Sequence, residues 1–504
     1  MSFRRESEQT HYDAVVIGSG IGGLSSAAVL AVAGLRVLVV ERHDRPGGYA
    51  HSFRRHRYRF DSAVHLTSGL NPNLGGQGGV LHELLSSLGV RDTVEFARID
   101  PVYHVSFPDR VVSAYAGLER YTKELGRLFP GSQSELEDLV GLSAVLRDQL
   151  AAADRANLSH AAASGEGFET LRRYRRATLG AVLEEKLSDP ELRAAHSTLW
   201  PYLGLPPGEL SFAYWSAMHT GYLADGAYYC KGTFQRLAQA FVEGIRNHGG
   251  EVLYRTRVRR ILVSEDRAQG VVLENGQKIS APVVVSNADA LQTAQELVGA
   301  DRLPQAYLRS LRRLEPSLSG YVAYLATDLP LENLVRGHET FYYANYDHDR
   351  AAQCTRDGEV TWFSATVPTL IDPELAPPGQ HLLILTTLAP FLDGDWRARK
   401  EPYLARLLAL AEEQFPGLTK HLLHAEGGTP RTMERYTLNE NGALYGWALT
   451  PDQTGPRRPS PITPLAGLYL AGHWAQPGGG IYAVALSGKR VGEEIVAKFG
   501  QTPA

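Results

Sequence analysis

Gly18-Ser19-Gly20-Ile21-Gly22-Gly23 is the stretch on which the reading of this chain turns. Gly18, Gly20 and Gly23 meet the spacing G-x-G-x-x-G, which alone says little. The surroundings say more. Residues 12–18 are β-branched and end in glycine, residues 22–33 are small and apolar with helical character, and residues 36–40 are β-rich again. The glycines therefore sit at the first turn of a strand–helix–strand unit. There Gly18 allows the tight turn, Gly20 lets backbone N–H groups approach a pyrophosphate, and Gly23 lets the helix pack against the strand. Ile21 and Gly22 open the helix, whose positive dipole end faces the phosphates. Glu41 follows Gly18 by 23 residues, at the end of the second strand. A carboxylate there accepts hydrogen bonds from a ribose hydroxyl and favours an unphosphorylated adenosine ribose.

NAD and FAD both satisfy this fingerprint. Further along, Glu41-Arg42 leads to Pro46-Gly47-Gly48, where Gly47 and Gly48 bring backbone close to a second part of a long cofactor. Only one such fingerprint occurs, so a separate NADPH module is not expected. Near the other end, Leu468-Tyr469-Leu470-Ala471-Gly472-His473 runs into Pro477-Gly478-Gly479-Gly480-Ile481. A strand feeding a glycine-opened helix repeats the anion-binding geometry, here aimed at the N1/C2 carbonyl edge of a flavin. The pairing of the two glycine clusters points to FAD, with Gly472, His473 and Gly480 at its far end.

Composition removes other classes. The 504 residues carry 51 Lys+Arg against 55 Asp+Glu, a net charge of −4, so no global basic field exists to hold nucleic acid. Cys230 and Cys354 are the only cysteines, which excludes a disulfide framework or Cys-rich metal site and fits a reducing compartment. No H-E-x-x-H-type spacing occurs, and no metal is expected. Apolar runs fall far short of the ~18 residues of a membrane span. Arg4-Arg5 is followed by acidic and polar residues where a secretory signal would be apolar. The expectation is a cytoplasmic protein, soluble or peripherally attached to a membrane.

The order of elements implies a discontinuous body. Residues 233–247 read as an amphipathic helix closed at Gly249-Gly250, and 251–254, Val258–Ser264 and 268–274 as strands. Asn275-Gly276 makes a hairpin turn into 277–281, and Val283-Val284-Val285 reads as a buried strand. Residues 467–471 read as a strand and Ile481–Phe499 as a helix. The body is thus expected from residues 1–70, 225–292 and 455–504. Two insertions cap it: 71–224, opening on a glycine-laden loop at 71–79 and mainly helical, and 293–454, mixed α+β.

These motifs resemble the phytoene desaturase superfamily of FAD-dependent oxidoreductases. The likeness also includes Lys231-Gly232 and Val285-Ser286-Asn287-Ala288-Asp289. Two stretches look more like its retinol saturase and carotenoid isomerase branch. One is Gly47-Gly48-Tyr49-Ala50-His51-Ser52-Phe53 with Phe60-Asp61-Ser62-Ala63-Val64-His65. The other is Glu434-Arg435-Tyr436-Thr437 with Asn441-Gly442-Ala443-Leu444-Tyr445-Gly446-Trp447. The resemblance implies an α/β fold, a Rossmann-type FAD-binding domain of the glutathione-reductase-like or amine-oxidase-like kind with an inserted α+β substrate-binding cap. It implies a backbone contact from Val258 to the adenine, and Ile481 and Tyr482 near the flavin. It implies redox change or cis–trans isomerisation at a carbon–carbon bond of a polyene, carotenoid or retinoid-like substrate, with an external electron acceptor. His473 stands where the superfamily often has an acidic or small polar residue, and there it can donate to a phosphate.

Further candidates flank these motifs. Tyr228, Tyr445 and Tyr482 lie beside cofactor-type sequence and join His473 as catalytic candidates, while His65 and His219 are more simply structural. Aromatic clusters at Tyr214, Trp215, Tyr222, Tyr228 and Tyr229, and at Phe341, Tyr342, Tyr343 and Tyr346, suit the walls of a flat apolar substrate or an ordinary core. Two arginine-dense stretches, Arg54, Arg55, Arg57 and Arg59, and Arg172, Arg173, Arg175 and Arg176, are either solvated faces or docking points for anionic lipid or an acidic carrier. A flavin oxidase or dehydrogenase of a natural-product pathway, taking a carrier-bound or amine substrate, is the alternative. A non-catalytic flavin-binding scaffold is a third reading.

Overall fold

The computed structural model describes residues 6–71, 79–155, 167–392 and 396–499. Its centre is a five-stranded parallel sheet. β1 (Ala14–Ile17) pairs with β2 (Val37–Val40) on one side and Val283–Ser286 on the other, with Glu251–Leu253 and Leu468–Leu470 at the edges. β1 and β2 are apolar throughout and fully buried because both faces of the sheet are covered. Ala14 and Val16 point into a core shared with α1 (Ile21–Val32) and the helix Phe234–Asn247. Val15 and Ile17 point the other way, onto the antiparallel ribbon Val258–Ser264, Arg267–Leu273 and Lys278–Ser280. The sheet draws strands from all three sequence segments expected to build the body.

The cap carries a seven-stranded mixed sheet. Its order is Leu422–Gly428, Ser319–Thr327, His381–Ala389, Trp362–Thr366, Glu339–Tyr343, Tyr103–Ser106 and Val111–Ala114. Most of the described first insertion is helical. Besides its helices it contains Phe96–Ile99, Tyr103–Ser106 and Val111–Ala114. Tyr103, His104 and Val105 are buried in succession, so that strand offers no two-residue alternation to betray it. Phe96–Ile99 pairs with Ala227–Cys230 at the edge of the body and ties cap to body. The glycine-laden loop lies outside the described residues except at its ends.

Candidate active site

The glycine turn does what its spacing requires. A Cβ on Gly23 would overlap the Gly18 carbonyl oxygen, so only glycine lets α1 pack this closely on β1. Gly22 has a further task besides opening the helix. A Cβ there would stand 2.7 Å from Asn287 Oδ1 and 2.8 Å from Gly472 Cα, so Gly22 admits the second glycine cluster against the first. Asn287 sits between them, with Nδ2 2.7 Å from the Cβ position of Gly20. It was visible in the sequence only as part of a resembling stretch.

Glu41 is held in place by the chain. Oε2 accepts from Ser19 N at 2.8 Å and Ser19 Oγ at 2.7 Å, and Oε1 accepts from His43 N at 2.7 Å. Gly47 N donates to Ser19 O at 2.8 Å, and Gly48, at φ 57°, lies against Gly20. Arg42 donates to the Arg435 carbonyl and so fastens residues 435–439 over the cleft. The result is a cavity of about 260 Å³. Gly18, Gly20, Ile21, Gly22, Glu41, Arg42, Gly47, Gly48, Val258, Gly472, His473, Gly480 and Ile481 all line it. Gly23 stands behind it and Tyr482 faces elsewhere. A helix start whose first N–H groups have no intrahelical partner, glycines that any Cβ would fill, and a braced carboxylate together fit a dinucleotide. Glu41→Ala removes the carboxylate and its brace on Ser19. FAD affinity is expected to fall about 10- to 100-fold, the worth of one or two charged hydrogen bonds, measurable by flavin fluorescence titration.

A second cavity, of about 410 Å³, opens beyond the first. Tyr202, Tyr214, Met218, Tyr222, Ile481 and Tyr482 give it aromatic and aliphatic walls. Gly480 and Ile481 line both cavities, so the two meet at the start of the closing helix, Ile481–Phe499. The tyrosine cluster divides accordingly. Tyr214 and Tyr222 face the second cavity, whereas Trp215 stacks on His219 in the core and Tyr229 donates to Asp61 at 2.8 Å. The cluster at Phe341 to Tyr346 lines neither cavity; Phe341 packs behind Tyr202.

The four catalytic candidates separate in space. Tyr482 borders the second cavity, its ring against Gly69. Tyr445 borders the first, but its buried hydroxyl donates to Pro201 O at 3.0 Å. His473 also borders the first. Burial and the neighbouring Arg458 charge push its imidazole down to about 3, leaving a neutral ring at physiological pH with Nε2 3.4 Å from Asn439 Oδ1. Tyr228 is not brought to either cavity; its hydroxyl donates to Asp225 O at 3.1 Å. His65 and His219 are buried, and burial lowers both.

Behind Tyr202 lies a group that no sequence signal marked. Glu339 is 1% exposed, accepts from Thr366 Oγ1 at 2.5 Å, and is pushed up to about 8 by burial. Its raised value means that the stability it contributes is complete below the ordinary carboxylate range and is lost as pH rises through about 8. Urea midpoints of the native protein should therefore fall between pH 5 and pH 8.5, and Glu339→Gln should flatten that fall by a few kcal/mol.

Residues 21–496 match the model of the family described as flavin containing amine oxidoreductase. The chain belongs to that family. Its flavin chemistry, taken with the dinucleotide cradle, makes FAD the cofactor and the protein an oxidoreductase. Within the family, the chain is 27% identical to the all-trans-retinol 13,14-reductase of Danio rerio, over 91% of this chain and 82% of the relative. It is 26% identical to the chloroplastic prolycopene isomerase of Arabidopsis thaliana, over 99% of this chain and 84% of the relative. These relatives lie in the phytoene desaturase-like branch. The crystal structure of an oxidoreductase from Methanosarcina mazei shares the fold, with a TM-score of 0.67 at 22% identity over 95% of this chain and 99% of that one. Among the described residues no helix is long and apolar enough to cross a membrane.

Proposed function

We propose that this family member changes a carbon–carbon bond of an apolar polyene, carotenoid or retinoid-like substrate by desaturation, saturation or cis–trans isomerisation. The observation that carries the reading is the meeting of an aromatic-walled cavity with the dinucleotide cradle at Gly480 and Ile481. Bound FAD supplies the acceptor or donor of a hydride at carbon. The chain supplies placement. Tyr214 donates to Gly479 O at 3.0 Å and fixes the glycine loop between the cavities. Tyr202, Tyr222 and Met218 clamp a flat chain and exclude water, and near-attack placement of this kind lowers barriers by several kcal/mol. His473, neutral at working pH, can orient a group by a hydrogen bond but holds no imidazolium proton to give.

An amine oxidase on this body would be expected to place a lysine near the flavin. Among the described residues that line the two cavities there is none, which favours the polyene reading. Two free, buried cysteines support a cytoplasmic setting, and electrons would pass to or from an external partner. Anaerobic mixing of the yellow holoprotein with polyene, retinoid and amine panels tests the proposal. Bleaching, or reoxidation of pre-reduced flavin, by polyenes or retinoids is expected, or a shifted cis–trans ratio without net bleaching. Bleaching by amines alone would overturn it.

A further inference from the structure

We infer that the substrate is an amphipath, an apolar chain ending in an anionic head, and that a ring of arginines at the outer end of the second cavity binds that head. The inference rests on the reading just proposed and narrows it, because neither a hydrocarbon nor a simple alcohol would need such a ring. Five arginines line this cavity: Arg147, Arg175, Arg176, Arg457 and Arg490. Asp225 is the one acidic residue among its described lining residues. Its carboxylate is already occupied, accepting from the backbone N–H groups of Gly69, Leu70 and Asn71. Arg457 pairs with Asp452 and Arg147 with Asp148, acids that do not line the cavity. The lining is therefore positive in balance, and a concave, low-dielectric wall focuses that field on whatever enters.

Arg490 stands away from the cradle. Ile481, Tyr482, Leu486 and Arg490 all line the cavity. Positions 482, 486 and 490 follow one another at four-residue spacing along one face of the closing helix. From Ile481, where the cradle begins, to Arg490 is roughly 13 Å along the axis at 1.5 Å per residue. Along this face the near end is aromatic and aliphatic, and the far end carries Arg490. An extended conjugated chain laid along this face would put its reacting bond at Ile481 and its terminus among guanidiniums. Guanidinium is the side chain best suited to planar bidentate recognition of carboxylate or phosphate oxygens.

The two arginine-dense stretches of the sequence thereby separate. In the first, Arg55 is bound to Glu426 at 2.6 and 2.9 Å and Arg59 donates to Glu374 O at 3.0 Å, so the chain itself uses them. In the second, Arg172 and Arg173 pair with Glu169 and Glu185, while the exposed Arg175 and Arg176 turn to the cavity.

Matched probes decide the matter. All-trans-retinoate and all-trans-retinol differ only in the head, as do geranylgeranyl diphosphate and geranylgeraniol. Their affinities for the holoprotein can be measured by calorimetry, with the visible flavin spectrum recorded on the same samples. At least one anionic probe is expected to bind ten or more times tighter than its alcohol, and the pair that shows this identifies carboxylate or phosphate. That preference should weaken steeply with salt and shrink to within about threefold in the Arg175→Gln/Arg176→Gln variant and in Arg490→Gln, with alcohol affinity unchanged. Equal or tighter binding of the alcohols would overturn the anionic head while leaving the apolar-substrate reading intact. Failure of all four probes to bind a flavin-replete protein would overturn both. If the arginine variants lost binding to phosphatidylglycerol vesicles with the acid-to-alcohol ratio unmoved, the ring would be a membrane contact and the inference wrong.

Discussion

Gly488→Ala should yield a protein that has lost its yellow colour and about 3 kcal/mol of stability, although the change adds one methyl group and improves helix propensity. The reason is where that methyl would go. A Cβ on Gly488 would overlap the Gly22 carbonyl oxygen and stand 2.8 Å from Ser25 Cβ and 2.9 Å from Ser26 N. Two of these three atoms belong to the backbone of α1, and none is the tip of a flexible side chain, so the helices themselves must move apart. One turn on, Gly492 is as tightly placed, its Cβ position 2.6 Å from Val29 Cβ. The two helices carry the two halves of the cradle: α1 begins at the first glycine cluster and the closing helix at the second. A wedge between them opens the gap between Gly22 and Gly472, and a 100-fold or greater loss of FAD affinity is expected. Gly141→Ala, in the helix Gln133–Arg155 with nothing within 4 Å of its Cβ position, is the control and should gain about 0.5–1 kcal/mol. Thermal melts and flavin content of the two variants would check both signs. Retention of flavin and stability by Gly488→Ala would refute the close approach.

The glycine spacing in the closing helix shows which part of this molecule can be read from sequence. The β1–α1–β2 unit was readable because its signals are local: an apolar run, three glycines, an acid at the right distance. The closing helix was bounded correctly for the same reason. What Gly488 and Asn287 do is set by segments hundreds of residues apart that meet only after folding, and no local pattern records it. The buried cap strands escaped because burial on both faces erases the alternation that marks a strand.

The site divides along the same line. Glu41 was placed by spacing, yet its brace on Ser19 and His43 needed coordinates. Tyr228 looked attractive because it precedes Lys231-Gly232, but its strand, Ala227–Cys230, pairs with Phe96–Ile99 and with Thr67 away from both cavities. Glu339 carries no motif, and only its burial makes it a titrating group near neutral pH. Charge runs mislead most: Arg55 and Arg175 look alike in sequence, yet Arg55 pairs with Glu426 while Arg175 lines the second cavity.

Arg458 extends that argument to the interior, and its replacement by methionine should be the most damaging single change outside the glycines. The side chain is 1% exposed, and among the described residues no carboxylate pairs with it. Its guanidinium instead donates to five carbonyls: Ala475 at 3.1 Å, Trp447 at 3.2 Å, Gln453 at 3.4 Å, Tyr445 at 3.2 Å and His473 at 2.5 Å. Burial pushes it down to about 10, so it keeps its charge at neutral pH. These carbonyls belong to two loops that border the cradle, residues 445–453 and 473–475, and Trp447 Nε1 joins them again by donating to Trp474 O at 3.0 Å. Methionine fills the volume but leaves five acceptors without this donor, and a loss of about 3–5 kcal/mol is expected. Lysine keeps the charge with three donors for five acceptors and should fall between. A second readout separates this role from mere packing. Arg458 is one cause of the lowered His473 imidazole, so removing the guanidinium while the ring stays buried should raise that titration toward neutrality, visible in the imidazole NMR signals as a function of pH. A methionine variant with native stability and an unmoved His473 titration would show that the two loops hold together without their shared cation.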